Sequence, residues 1–355
     1  MKVLSINNRH IPELKKILVR VNNWIGDAVM NTPALGAIRE SYPDAEIVVV
    51  ANPLVSPLFL SHPYCDRVII YDKKNVDRGI SGFVRFVVRL RRERFDAAIL
   101  FQKAIEAALM TFLAGIRVRI GYLTDHRGFL LSHGVELTED IKKQHHTLHF
   151  ISLLRSCEIT GGDGRQLLNV TDNEKAWAQR TLKEASWVVI NPGAAYGSAK
   201  RWLPHRFAQV ADELSNRFGF LIMLIGGPGE IEIGQEIEET CHAKLTNFVG
   251  KTTVREMMAL ISACRLMVTN DSGPMHVAAA LGVPIVAIFG STDHTTTFPA
   301  GVAHKIVRKD FPCAPCLLRQ CPIDHRCMIA IEVEDVLSSV DQLINDENVD
   351  FGRQD

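Results

Sequence analysis

The chain has 355 residues, more than a single hydrophobic core of ordinary size accommodates, so two domains are expected. It carries 40 basic and 40 acidic side chains, and this balance argues against a nucleic-acid-binding protein. The first 180 residues hold 25 basic and 19 acidic side chains, an excess of 6 positive charges, while the remaining residues hold 15 and 21. We therefore expect the first half to meet an anionic partner that is not a nucleic acid.

The sequence shows no secretory signal and no candidate membrane span. Its first 16 residues lack an apolar signal core, and no apolar run reaches the ~18 residues that a spanning helix needs. Eight cysteines in such a chain favour thiols or a metal site over a disulfide framework. These features predict a cytoplasmic protein.

The first predicted unit is a strand from Lys16 to Val21, a loop, and a helix from Ala28 to about Ser41. The loop lacks the G-x-G-x-x-G fingerprint, which argues against a dinucleotide cofactor. Asp27 ends this loop and leaves two interpretations open. It is either the N-cap of the helix, or a carboxylate at the carboxyl edge of a parallel sheet, where a general base is useful.

Three further apolar strands follow, over Glu46–Ala51, Arg67–Tyr71 and Asp96–Phe101, with helical segments between them. This alternation predicts parallel α/β architecture. The helix over Ile80–Arg94 is amphipathic and rich in arginine. It forms either a solvated charged face or a contact with a membrane or with phosphate groups.

A domain boundary is predicted where the periodicity breaks, over Thr160–Asn173, because this stretch holds three glycines and several turn residues. We expect an N-terminal domain over 1–165, a C-terminal domain over 175–330, and a final segment over 331–355. The final segment contains a predicted helix from Val333 to Ile344.

The second half begins with a strand from Trp187 to Ile190 and a loop of small residues that ends at Trp202. Small residues let backbone amides approach an anion, and Lys200 supplies the point charge that a phosphate needs. Pro204 then opens an amphipathic helix that Gly219 closes. This loop is therefore a predicted phosphate site.

A core strand over Phe220–Ile225 runs into a glycine-rich turn that ends at Glu230. At this edge Glu230 is a candidate acceptor for ribose hydroxyl groups. The alternative is that an acidic residue in the first helical turn only matches the helix dipole.

The stretch from Leu266 to Gly290 predicts one βαβ unit. A strand over Leu266–Thr269 leads into the turn Asn270–Gly273, a helix begins near Pro274, and a second strand covers Pro284–Phe289. The free backbone amides at the start of this helix favour an anion. The candidate ligand-binding residues are Asp271, Ser272, Gly273 and His276; the alternative is that Asp271 or Ser272 is a simple N-cap.

Four cysteines near the end of the second half have the spacing C-x2-C-x4-C-x5-C. They are Cys313, Cys316, Cys321 and Cys327, with His325 nearby. Four thiolates at this spacing suit a structural zinc ion or an iron–sulfur cluster, but the spacing differs from paired zinc knuckles. Reduced thiols or a disulfide formed on purification are the alternatives.

Three blocks in chain order carry a resemblance to a known family. They are GDAVMNTPAL after the first strand, NPGAAYGSAKRW after the boundary segment, and NDSGPMHVAAALGVPIVAIFG. Together they resemble glycosyltransferase family 9, the ADP-heptose:lipopolysaccharide heptosyltransferases. The resemblance spans nearly the whole chain and implies a GT-B fold, an α/β architecture of two facing Rossmann-like domains with parallel sheets.

The activity implied by this resemblance is an inverting transfer of L-glycero-D-manno-heptose from ADP-heptose to the first heptose of the lipopolysaccharide inner core. The implied acceptor is lipid A carrying Kdo and one heptose, and the enzyme would contact the cytoplasmic face of the inner membrane peripherally. No cofactor is required. The basic first half fits an acceptor that bears phosphates and carboxylates.

The resemblance also implies roles for individual residues. The family's base falls on Asp27, and the lysine that binds donor phosphate falls on Lys200. The block that contacts pyrophosphate and sugar falls on Asp271, Ser272, Gly273 and His276. Some relatives have paired threonines before the lysine, where this chain has Ala195 and Tyr196, so backbone amides must serve there. No D-x-D motif is present to hold a bridging metal.

Two other functions are compatible with these residues. One is another GT-B sugar-nucleotide enzyme, such as a different heptosyltransferase, a UDP-sugar transferase or an epimerase. The other is a carbohydrate-binding or scaffold protein without catalytic activity. Measuring which sugar nucleotide is used as the donor distinguishes another sugar-nucleotide enzyme from a heptosyltransferase. Measuring the effect of replacing Asp27 distinguishes a non-catalytic binding protein from an enzyme.

Overall fold

The computed structural model describes residues 3–5, 13–183 and 186–346, with side chains described from residue 13 onward. The chain divides into two compact units, residues 1–169 (unit 1) and residues 170–355 (unit 2). This division falls inside the boundary segment predicted from the sequence. The beginning of the predicted first domain and the last nine residues of the predicted segment 331–355 lie outside the described residues.

Unit 1 contains a mainly parallel sheet that is covered by helices. Its described strands are β1 Val3–Ser5, β2 Lys16–Arg20, β3 Glu46–Ala51, β4 Arg67–Ile70, β5 Ala97–Leu100, β6 Val118–Tyr122 and β7 His133–Val135. Its described α-helices are α1 Ile25–Met30, α2 Thr32–Ser41, α3 Gly79–Glu93, α4 Ile105–Leu113, α5 Glu139–Lys142 and α6 His146–Arg155. The sheet order is β1-β7-β6-β5-β2-β3-β4, and only β1 pairs antiparallel, with β7.

Unit 2 repeats this architecture. Its described strands are β8 Trp187–Asn191, β9 Leu221–Leu224, β10 Leu245–Asn247, β11 Leu266–Asn270, β12 Ile285–Ile288 and β13 His304–Val307. Its described α-helices are α7 Asp172–Leu182, α8 Pro204–Phe218, α9 Ile231–Thr240, α10 Val254–Ser262, α11 Gly273–Ala280, α12 His294–Thr297, α13 Arg326–Ile329 and α14 Val333–Ile344. The sheet order is β10-β9-β8-β11-β12-β13, and every pair in it is parallel.

In each sheet, the direction in which the chain adds new strands reverses at one place. In unit 1 the chain runs from β2 through β3 to β4 and then returns to the other side of β2 with β5; in unit 2 it makes the same return from β8 to β11. In open parallel sheets a ligand binds beside the carboxyl ends of the strands at such a reversal, because the two adjoining loops separate there. The fold therefore places one candidate site between β2 and β5 and another between β8 and β11.

The architecture predicted for a GT-B fold, two Rossmann-like α/β units with parallel sheets, is confirmed. The helix over Val333–Ile344 has the predicted bounds, and Gly219 ends α8 with a φ of 69°, which glycine adopts without strain. The βαβ unit over 266–290 is present as predicted. No helix in the described part of the chain is long and apolar enough to cross a membrane.

The predicted helix from Ala28 to Ser41 is wrong in its bounds. It is two helices, because the chain breaks at Asn31 and α1 begins earlier, at Ile25. Pro33 lacks an N–H group and cannot donate to the carbonyl of Val29, and the Thr32 hydroxyl donates to that oxygen instead at 2.8 Å. The earlier start makes Trp24 the N-cap and places Asp27 in the first turn of α1, so the N-cap interpretation of Asp27 is also wrong.

An ion pair joins α7 to α10 and makes unit 2 sensitive to acid. Both carboxylate oxygens of Glu174 accept hydrogen bonds from Arg255, which lowers the pKa of Glu174 from 4.5 to about 2. Because the folded pKa lies below the unfolded value, the stabilisation is complete above pH 4.5 and is lost as the pH falls towards 2.

We expect Glu174→Gln to lower the free energy of unfolding at pH 7 by about 1–2 kcal/mol, after allowing for solvent screening. The difference from wild type should shrink between pH 4.5 and 2. Urea unfolding at a series of pH values measures both, with Glu239→Gln on exposed α9 as the matched control. A constant difference across this pH range would contradict the assignment.

Candidate active site

A buried ion pair lies at the carboxyl edge of the unit 2 sheet, where β11 and β12 end. The Lys200 ammonium lies 2.6 Å from Asp271 Oδ2, and the Thr292 hydroxyl donates to the same oxygen at 2.7 Å. The side chains of Asp271 and Lys200 are only 5% and 16% exposed, so water screens their charges little. The pair fixes the ammonium at this edge, where its remaining N–H groups can donate to an anion.

The N-terminus of α11 lies beside this pair. Ser272 is the N-cap residue, yet among the described residues its side chain makes no capping hydrogen bond. Its hydroxyl instead accepts from Asn191 Nδ2 at 2.9 Å, which ties the end of β8 to the start of α11. The N-terminal amides of α11 and the helix dipole therefore favour a negative group at the reversal between β8 and β11.

His276 lies in the first turn of α11 and is 3% exposed. The structure thus places all four candidates from this block at one helix N-terminus. Gly273 opens the helix, and Pro274 follows in its first turn without an amide to lose. Contact of these residues with pyrophosphate or sugar stays a prediction.

The loop between β8 and α8 carries the remaining donor-site candidates. Ala195 is exposed, and Tyr196 is half-exposed with its hydroxyl donating to the Leu317 carbonyl at 3.1 Å. The Lys200 ammonium lies 5.2 Å from the centre of the Tyr196 ring. The ring therefore adds a cation–π contact that helps to hold Lys200 in place.

Glu230 is buried, and its carboxylate is directed into the protein. Its Oε2 accepts from the backbone amide of Gly227 at 2.7 Å. A Cβ at Gly193 would lie 2.0 Å from this carboxyl group, so the loop after β8 needs glycine there. Glu230 thereby fixes the distance between the loops that follow β8 and β9. Hydrogen bonding of Glu230 to a ribose stays a prediction.

Asp27 lies at the corresponding reversal in unit 1. It is half-buried in the first turn of α1, directly after β2. Lys103 follows β5, the neighbouring strand; burial lowers the pKa of Lys103, and the nearby Asp27 carboxylate partly opposes this shift. The Lys103 ammonium and the Asp27 carboxylate therefore lie close enough to attract each other.

Three residues near these sites were not predicted as candidates: Asn191, Thr292 and Lys103. Each lies at or just after the carboxyl end of a buried strand, β8, β12 or β5. Asn191 is 1% exposed, and its Oδ1 has no hydrogen-bond partner among the described residues. The sequence does show that each of these polar residues follows a predicted strand. It does not show the order of the strands in the sheet, which decides which strand ends lie side by side.

The cysteine segment packs against the Lys200 loop. Ala199 donates from its amide to the Arg319 carbonyl at 3.0 Å, and His325 Nε2 lies 3.0 Å from the Ala199 carbonyl oxygen. The amide of Leu317 also donates to the Ser291 carbonyl at 2.8 Å, beside Thr292. The cysteine segment thus packs against the backbone next to Lys200 and next to Thr292.

The four cysteines line one cavity of about 20 Å³. Burial, together with the other three cysteines, raises the pKa of the Cys327 thiol, and Cys321 Sγ accepts from the His325 amide at 3.3 Å. Within the described residues, no three His, Cys, Asp or Glu side chains are grouped as ligands for a metal ion.

A structural metal at Cys313, Cys316, Cys321 and Cys327 therefore stays a prediction. If they close around one ion, elemental analysis of the untagged chain gives about one zinc or iron per molecule, and Cys321→Ser removes it. Cys241→Ser, outside the segment, is the matched control. A wild-type chain purified under reducing conditions with no bound metal would refute the site.

Comparison with known proteins decides the family. The profile of glycosyltransferase family 9 (heptosyltransferase) matches residues 83–326. The chain belongs to this family. A lipopolysaccharide heptosyltransferase 2 of Escherichia coli K12 is 31% identical over 307 residues, which cover 82% of this chain and 88% of the relative. A lipooligosaccharide heptosyltransferase 2 of Campylobacter jejuni is 29% identical over 94% of this chain and all of the relative.

Solved structures agree with membership of family 9. That of E. coli ADP-heptose lipopolysaccharide heptosyltransferase II has a TM-score of 0.78 and 27% identity, covering 92% of this chain and 98% of the other. A family 9 glycosyltransferase of Veillonella parvula has a TM-score of 0.81 at 22% identity, with 94% and 99% covered, and shows the shared fold. As a member of family 9, the chain is a glycosyltransferase.

Proposed function

We propose that this chain transfers L-glycero-D-manno-heptose from ADP-heptose to the first heptose of the lipopolysaccharide inner core. The observation that carries the proposal is the Lys200–Asp271 ion pair at the uncapped N-terminus of α11, in a family 9 chain whose relatives are named heptosyltransferase 2. This arrangement suits the charge of a departing nucleoside diphosphate.

Unit 2 binds the donor in this proposal. The Lys200 ammonium and the first amides of α11 donate to the diphosphate oxygens, and these groups neutralise the charge that grows as the sugar–phosphate bond breaks. Asp271 acts through Lys200, since its carboxylate already accepts from Lys200 and Thr292 and would repel a phosphate at close range. Protein cations and amides thus stabilise the leaving group.

Unit 1 binds the acceptor, and Asp27 is the base. The acceptor hydroxyl oxygen attacks the anomeric carbon of the heptose, Asp27 takes the hydroxyl proton, and the bonding electrons leave with ADP. A single displacement of this kind inverts the anomeric centre. Lys103 places a positive charge near the Asp27 carboxylate and so attracts it towards this edge of the sheet.

The experiment is a transfer assay with ADP-heptose and two lipid A–Kdo acceptors, one bare and one carrying a single heptose. Product from the heptosylated acceptor alone supports the proposal. Product from the bare acceptor would make the chain the enzyme that adds the first heptose. Replacing ADP-heptose by UDP- or GDP-sugars tests the donor, and transfer from a UDP-sugar with none from ADP-heptose would refute the proposal.

The acceptor in this proposal is anchored in a bilayer by its acyl chains, so the enzyme works at the cytoplasmic face of the inner membrane. The excess of 6 positive charges in the first 180 residues supports this location, because that leaflet and the acceptor both carry negative charge.

A further inference from the structure

Helix α4 presents an apolar face to solvent. Ile105, Leu109, Phe112 and Leu113 follow the spacing i, i+4, i+7 and i+8, so they form one stripe. Each is between 37% and 47% exposed, while the opposite side of the helix is buried in unit 1. An amphipathic surface helix normally turns its polar side outward, and α4 does not.

Apolar side chains on the neighbouring elements extend this stripe. Helix α3 packs beside α4 over the same core, and Val84 and Val88 on its outward side are 51% and 42% exposed. A short 3₁₀ turn over Gly128–Leu130 lies against α4 and exposes 71% of Phe129. We call the outward sides of α3 and α4, with Phe129, the α3–α4 face.

The α3–α4 face is also strongly basic. Helix α3 carries four arginines, and its single acidic residue, Glu93, is bound by Arg67 and Lys16. Two of these arginines are fixed at the helix surface, since Arg89 donates to the Ile70 carbonyl at 2.7 Å and Arg85 donates to the Val76 carbonyl. The excess positive charge of α3 therefore faces solvent.

Positive charge also borders the stripe of α4. The Arg119 guanidinium lies 5.2 Å from the centre of the Phe112 ring, and Arg117 beside it is exposed. An aromatic ring with a cation at its edge suits the boundary between acyl chains and headgroups, because the ring enters the apolar layer while the cation meets phosphate. Both helices thus combine exposed apolar side chains with arginine.

We propose that the α3–α4 face docks unit 1 on an anionic lipid bilayer. The stripe and Phe129 enter the boundary between headgroups and acyl chains, and the arginines bind lipid phosphates. Charge complementarity favours this occupant over a second copy of the chain, since pairing two such faces would bring their arginines together. The inference rests on the proposed function, which places the enzyme at a membrane, and it adds which surface of unit 1 contacts that membrane.

The test uses the whole chain with vesicles, without donor or acceptor. Wild type should bind phosphatidylcholine vesicles that contain about 30% phosphatidylglycerol, and bind pure phosphatidylcholine more weakly. Phe112→Ser and Phe129→Ser should each weaken binding about tenfold, the value expected for removing one inserted aromatic side chain. Arg91→Gln and Arg92→Gln should each cost roughly fivefold, and added salt should reduce that difference.

Leu148→Ser is the matched control. Leu148 is a similarly exposed apolar residue of unit 1, but it lies on α6, which packs against α2. Its replacement should leave vesicle binding unchanged. Equal vesicle binding by wild type and both phenylalanine variants would overturn the proposal. It would also be overturned if wild type does not bind vesicles and instead forms a concentration-dependent dimer that these variants abolish.

A second measurement separates this inference from the proposed function. Transfer to a deacylated, water-soluble acceptor requires no membrane, so Phe112→Ser should retain wild-type kcat and KM with it. Failure of wild type to transfer heptose in this assay would refute the proposed function without touching vesicle binding. Loss of transfer in Phe112→Ser alone would assign Phe112 to the acceptor site and overturn its role at the membrane.

Discussion

Replacement of Asp27 by asparagine is expected to lower kcat for heptose transfer by ~10²–10⁴-fold, the range for loss of a positioned general base. Asparagine keeps the size and place of the side chain in the first turn of α1 but cannot take the acceptor proton. ADP affinity should be unchanged, because in our proposal unit 2 alone binds the donor. Steady-state kinetics and calorimetric titration with ADP measure the two quantities.

The matched control is Asp44→Asn, an exposed aspartate of the same unit, which should leave kcat unchanged. Lys103→Met should lower kcat less than Asp27→Asn does, since it removes a neighbouring charge and not the base itself. A kcat for Asp27→Asn within about twofold of wild type would rule out Asp27 as the base and favour a carbohydrate-binding protein without catalysis.

Replacement of Lys200 by methionine is expected to weaken ADP binding by roughly 10–100-fold, which corresponds to ~1.5–3 kcal/mol for a hydrogen bond from a charged group. The substitution also leaves the buried Asp271 carboxylate without its cation, close to where the phosphates bind. An unpaired buried charge destabilises the folded state, so the melting temperature should fall as well.

The double variant Lys200→Met with Asp271→Asn separates folding from binding. Since it removes both charges, it should recover much of the melting temperature lost in Lys200→Met while ADP binding stays weak. Lys251→Met, at an exposed lysine of unit 2, is the control for loss of charge alone. If the double variant binds ADP with wild-type affinity, Lys200 is not part of the donor site.

Elements with clear local signals were predictable. The strand over Glu46–Ala51 has the predicted bounds because five consecutive buried apolar residues after Glu46 leave few alternatives. Gly219 ends α8 as predicted, because a helix cap depends on residues within a few positions. The break at Asn31 was not predicted, because the apolar residues Val29, Leu35 and Ile38 keep a helical spacing across it.

Most of the contacts that define the candidate site could not be predicted from the sequence. The ammonium of Lys200 and the carboxylate of Asp271 are 71 residues apart in the chain and meet only because β8 and β11 adjoin. Glu230 reads locally as an acidic residue in a first helical turn, yet the fold turns its carboxylate inward against Gly193. Such pairings depend on strand order, which local periodicity does not encode.

The α/β class, the strands and helices with strong periodicity, and the family could be predicted, since they depend on neighbours in the chain or on ordered motifs. Four features could not be predicted: the bond from Asn191 to Ser272, the bond from Thr292 to Asp271, the approach of Lys103 to Asp27, and the apolar stripe of α4 beside the arginines of α3. The physical reason is that side-chain pairing and exposure depend on which distant segments pack together, and that is settled by the whole fold.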